Sequence, residues 1–140
     1  MFWIHPYWQA AAILLTGYVF ILGWARFAAV NLGRQGIFLW KRHVSLGKTA
    51  LYLLMFGAFV GAAAAWVKWR IFGMTGNHFR LGITIAVLAF FGYWSGLRMD
   101  AHKKQRKVLP LLHGFNNLLV LALTLLSLAT GATVILRLLP

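Results

Sequence analysis

Residues 111–136 read LLHGFNNLLVLALTLLSLATGATVIL, a run of apolar and small residues without a charged side chain. An α-helix needs about 20 predominantly apolar residues to cross the hydrocarbon core of a bilayer. Three further apolar runs lie at 7–27, 43–66 and 78–98. The sequence therefore predicts an all-α membrane protein with four transmembrane helices, which form a single domain over residues 1–140.

The composition supports an integral membrane protein, because 61% of the residues are hydrophobic and only 11% are charged. A soluble domain carries about 25% charged residues, and a disordered chain is poor in apolar ones. The chain has no Cys, which excludes disulfides, thiolate metal sites and covalently attached c-type haem. Asp100 is the only acid, so a proton-coupled transporter, which needs an intramembrane carboxylate, is not expected.

The basic residues are distributed unevenly between the two ends of the predicted bundle. Fourteen Lys and Arg accompany the single acid, and ten of them flank the connections after the first and third runs. Such a charge in a soluble chain would indicate nucleic-acid binding, but bases that flank apolar runs indicate membrane topology. The positive-inside rule predicts an up-down-up-down four-helix bundle with both termini extracytoplasmic.

A repeat relates the second and third runs. Residues 43–57 read HVSLGKTALYLLMFG and residues 78–92 read HFRLGITIAVLAFFG, with seven identical positions in fifteen. Each copy has a Gly four and fourteen residues after its His, which lie on or near the face of that His. The pattern predicts that these glycines clear space for a bulky flat group, although helix packing also uses Gly in membranes. The four glycines are Gly47, Gly57, Gly82 and Gly92.

One His lies near the start of each run. Because the helix direction alternates, His5 and His78 are predicted near the outer surface, and His43 and His113 near the inner one. Each pair comes from diagonal helices of a four-helix bundle, which face each other across its core. Two facing imidazoles suit an iron porphyrin held at both axial positions.

Other metal sites fit the four His less well. A zinc or di-iron site would normally add carboxylate or thiolate ligands. A copper site is possible but leaves the glycines unexplained. His102, among the bases of residues 99–107, is expected in solvent, and it replaces His113 as the inner ligand only if the third helix is longer.

Four short motifs resemble the cytochrome b561 family, in particular its small bacterial four-helix members. They are HP at 5–6, WKRHVSLG at 40–47, NHFRLG at 77–82 and LHGFNN at 112–117. The resemblance covers nearly the whole chain and implies two haem b groups. Its implied iron ligands are His5 with His78 for the outer haem, and His43 with His113 for the inner haem.

The resemblance also implies transmembrane electron transfer rather than stand-alone catalysis. Its implied partners are membrane lipid, a quinone or other redox subunits and a larger complex, in a bacterial cytoplasmic or photosynthetic membrane. Basic side chains would face the haem propionates, with Arg42 and Lys48 as inner candidates and Arg70 and Arg80 as outer ones. Asn117 and Gln9, one turn after His113 and His5, are expected to bond an imidazole or a neighbouring helix. The alternative function is a haem-free scaffold subunit of a membrane complex.

Overall fold

The computed structural model describes residues 3–138, which contain four α-helices and no strand. The helices are α1 (Ile4–Asn31), α2 (Trp40–Trp69), α3 (Asn77–Ala101) and α4 (Val108–Leu138). The prediction of an all-α chain with four helices able to cross a membrane is therefore confirmed. Each helix extends beyond its predicted span, because hydropathy marks the part that crosses hydrocarbon while backbone hydrogen bonding continues into the interfacial region.

Large apolar side chains cover the outside of the bundle. Examples are Leu14, Phe59 and Phe90, which are 77%, 71% and 63% exposed. Helices that are apolar on every side are typical of membrane spans, where the outer side chains face lipid instead of water. The chain is accordingly a multi-pass integral membrane protein.

The helices pack in a ring, so that each contacts two others. The contacting pairs are α1 with α2, α2 with α3, α3 with α4, and α4 with α1. Over the described residues, no Cα atoms of α1 and α3, or of α2 and α4, lie within 8 Å of each other, so these are the two diagonal pairs. The centre of the ring is a small apolar core that includes Ala12, Leu54, Ala89 and Val120, none more than 1% exposed. Ala12 and Ala89 are small residues, which let neighbouring helices approach closely.

The connections after α1 and α3 lie at the same end of the bundle, here called the basic end. Lys103 Nζ lies 4.1 Å from the centre of the Trp40 ring, and Lys48 Nζ lies 3.0 Å from Asp100 Oδ2. Asp100 lies beyond the third predicted run, 78–98, but belongs to the last turn of α3, because that helix continues to Ala101. The connection at 70–76 lies at the opposite end, where it joins α2 to α3.

Candidate functional site

Two pairs of His side chains face each other, one pair at each end of the bundle. The ring centres of His5 and His78 are 6.1 Å apart, and those of His43 and His113 are 6.4 Å apart. The ring planes are inclined by 76° in the first pair and 75° in the second. The structure thus brings together the side chains that the sequence analysis paired, each pair from diagonal helices.

Backbone carbonyls fix the orientation of one imidazole in each pair. His5 Nδ1 lies 2.9 Å from Gly57 O, and His43 Nδ1 lies 3.2 Å from Val19 O. A carbonyl oxygen only accepts hydrogen bonds, so Nδ1 carries the proton in both rings. Each Nε2 therefore keeps its lone pair, which is the form of His that binds a metal.

Hydroxyl groups hold the second imidazole of each pair. Ser95 Oγ lies 2.8 Å from His113 Nδ1 and donates its own proton to Gly92 O at 3.1 Å. Thr130 Oγ1 lies 3.2 Å from His78 Nδ1 and donates to the backbone oxygen of Ser127 at 3.1 Å. A hydroxyl that gives its one proton to a backbone oxygen can accept a hydrogen bond from Nδ1–H. The hydrogen bonds at all four Nδ1 atoms are therefore compatible with an unprotonated Nε2.

A glycine on the neighbouring helix makes room for each imidazole. A Cβ added at Gly61 would lie 2.5 Å from His5 Cε1, and one at Gly23 would lie 2.9 Å from His43 Cε1. The corresponding distances are 3.1 Å from Gly131 to His78 Cε1 and 3.4 Å from Gly96 to His113 Cε1. Any larger residue at the two closest glycines would displace the ring, so these positions require the absence of a side chain.

These four supporting glycines were not identified in the sequence analysis, although a regular spacing marks them. Each lies eighteen residues after the His of its own helix, in all four helices: His5 and Gly23, His43 and Gly61, His78 and Gly96, and His113 and Gly131. Eighteen residues are five full helical turns, or about 27 Å. Each helix therefore presents a His at one end and, on the same face, a glycine for its neighbour's His at the other.

The glycines that the repeat singled out have different surroundings. A Cβ at Gly57 or Gly92 would lie 2.6 Å from the side-chain amide of Gln9 or Asn117, respectively. A Cβ at Gly82 would have no neighbour within 4 Å, and one at Gly47 would touch only Val19, at 3.4 Å. Gly57 and Gly92 thus accommodate amide side chains of neighbouring helices, which agrees with the helix packing given above as the alternative to cofactor contact. Cofactor contact at these four glycines stays a prediction.

The amide and arginine side chains predicted for the site hydrogen-bond to backbone carbonyls or are exposed. Asn117 Nδ2 donates to His113 O in its own helix at 2.8 Å, and Gln9 Nε2 lies 3.4 Å from Leu54 O on α2. Arg42 and Arg80 are both exposed, as a propionate partner at the rim of the bundle would be. His102 follows α3 and is exposed; the ring that faces His43 is that of His113.

The geometry of the pairs fits a metal held between two imidazoles. A metal about 2.0 Å from each of two opposed ring nitrogens places the ring centres about 6.3 Å apart. Among the described residues, no group of three or more His or acidic side chains is arranged to hold a metal. Two imidazoles without further protein ligands match the axial ligation of a porphyrin iron, in which the macrocycle supplies the other four nitrogens.

No protein-family model matches this chain, and the searches of characterised proteins and of solved structures find no significant similarity.

Proposed function

We propose that this protein carries electrons across a membrane through two b-type haems, one near each end of the four-helix bundle. The observation that supports the proposal best is the pair of facing imidazoles at each end, 6.1 Å and 6.4 Å between ring centres. The hydrogen bonds at Nδ1 support it further, because they leave all four Nε2 atoms free to bind iron. His5 and His78 would hold one haem, and His43 and His113 the other.

Haem iron, when bound, supplies reversible one-electron oxidation and reduction. The two His ligands of each site would leave the iron no open position, so substrates would not bind there. Electrons would instead enter and leave at the edges of the bundle, where Arg42 and Arg80 are exposed. A quinone or another redox subunit is the kind of partner that such a carrier needs. The proposed setting is a larger complex or oligomer in a bacterial cytoplasmic or photosynthetic membrane.

The haem content of the purified chain tests this proposal directly. We expect a dithionite-reduced minus oxidised spectrum with the bands of low-spin b haem. A pyridine haemochrome assay should give two haems per chain, because the bundle has two imidazole pairs. A chain that takes up no haem when expressed with an adequate haem supply would contradict the proposal and favour a haem-free scaffold subunit.

The proposed orientation places the basic end in the cytoplasm and both termini outside. The connections at 32–39 and 102–107 lie at that end, and ten of the fourteen bases flank them. Since basic loops are retained on the cytoplasmic side, alkaline phosphatase fused after Pro140 should be active, and a cytoplasm-dependent fluorescent reporter there should be dark. The same two reporters inserted into 102–107 should give the reverse pattern. A C-terminal fusion that is active only in the cytoplasm would overturn the orientation.

A further inference from the structure

Ser95 has an unusual position, because its hydroxyl is buried in the bundle and bonded to a proposed iron ligand. The side chain is fully buried, at 0% exposure, and its Oγ lies 2.8 Å from His113 Nδ1. The bonds to the other three imidazoles are longer, at 2.9 Å for His5, 3.2 Å for His43 and 3.2 Å for His78. Ser95 therefore makes the shortest of these hydrogen bonds.

The Ser95 hydroxyl also uses its own proton in a hydrogen bond to the backbone. It donates to Gly92 O, one turn earlier in α3, at 3.1 Å, so toward His113 it acts as an acceptor. An acceptor at Nδ1–H increases the electron density at Nε2 and so strengthens that nitrogen as a ligand. The stronger ligand stabilises ferric iron more than ferrous iron, which lowers the reduction potential.

We infer that Ser95 is a positioning residue that sets the reduction potential of the haem at the basic end through His113. The inference rests on the proposed function and goes beyond it, because it assigns the control of one haem to one hydroxyl. The other end is built differently. His78 has two hydroxyl neighbours, Thr130 Oγ1 at 3.2 Å and Ser127 Oγ at 3.4 Å, so the loss of either leaves the other as a partner.

The experiment compares three variants by potentiometric titration, with both haems followed in the absorption spectrum. In S95A, we expect the haem at the basic end to become easier to reduce and the other haem to stay unchanged. Loss of such a partner changes metal affinity about 10- to 100-fold. If the ferric form alone loses tenfold, the potential rises by about 59 mV for one electron. T130A should shift only the opposite haem, and by less, because Ser127 remains.

T124V is the matched control for the loss of a buried hydroxyl. Thr124 is 2% exposed and donates to Leu121 O at 2.8 Å within α4, with no hydrogen bond to an imidazole. This variant should leave both potentials unchanged.

Two results would overturn the inference while leaving the proposed function intact. One is S95A with two haems and unaltered potentials. The other is an equal shift of both haems in S95A, because a change of the whole bundle would then be the cause. A wild-type chain without haem would refute the proposed function and this inference together, and the pyridine haemochrome assay of the wild type identifies that case first.

Discussion

Replacing His43 or His113 with Ala is expected to remove the same haem, that of the basic end, and to halve the haem content of the chain. The two rings face each other at 6.4 Å between centres and come from α2 and α4. An iron held by two imidazoles loses half of its protein ligands when one ring is deleted. His5→Ala and His78→Ala should each remove the other haem, since those rings face each other at 6.1 Å. Haem counts with low-temperature spectra of the retained haem measure both outcomes.

His102→Ala is the control for these ligand variants. His102 lies outside the helices and is exposed, so this change should preserve both haems and both spectra. His43 and His78 provide the critical comparison, because they belong to the repeated motif but lie at opposite ends of the bundle. If His43→Ala and His78→Ala removed one common haem, the assignment of ligands to the two pairs would be wrong.

The architecture could be predicted because it depends on hydropathy and on connection length, and both can be read from each segment of the sequence separately. Four apolar runs predict four membrane helices whatever their neighbours are. Short connections make sequence neighbours adjacent in space, so the diagonal partners are α1 with α3 and α2 with α4. Each helix has a His near its start, and neighbouring helices run in opposite directions. His5 of α1 and His78 of α3 are therefore expected at the same end of the bundle. The helix ends were less well predicted, because an interfacial turn can be helical without being apolar.

The supporting glycines could not be deduced from one helix at a time. The repeat predicts Gly47 and Gly82 beside the His of their own helices, one turn later. A helical side chain leans toward the N-terminus of its helix, however, and so away from the residue at +4. His5 leans instead over Gly61 of α2. The rotation of each helix, which selects this contact, is set by packing against its neighbours. The sequence feature that marks these glycines is the recurrence of Gly eighteen residues after the His in all four helices.

Gly61→Ala is expected to have the second largest effect, a severe loss of the haem held by His5 and His78. The added Cβ would lie 2.5, 2.7 and 2.9 Å from three atoms of the His5 ring. The ring must therefore move, and its 2.9 Å bond to Gly57 O must lengthen or break. Overpacking of this kind costs about 1–3 kcal/mol, which is about 5- to 150-fold in affinity. Haem titration of the apoprotein, with the basic-end haem as internal reference, measures the effect.

The four glycines form a graded series, which separates this explanation from a general loss of helix packing. The Cβ distances to the imidazoles increase from 2.5 Å at Gly61 through 2.9 Å at Gly23 and 3.1 Å at Gly131 to 3.4 Å at Gly96. Haem loss should decrease in that order, and Gly96→Ala should be nearly neutral. Gly17→Ala is the control, because its Cβ would have no neighbour within 4 Å and Ala favours a helix over Gly by about 1 kcal/mol. Equal haem retention in all five variants, or greater loss in Gly96→Ala than in Gly61→Ala, would show that these glycines do not position the imidazoles. The eighteen-residue spacing would then reflect helix packing alone.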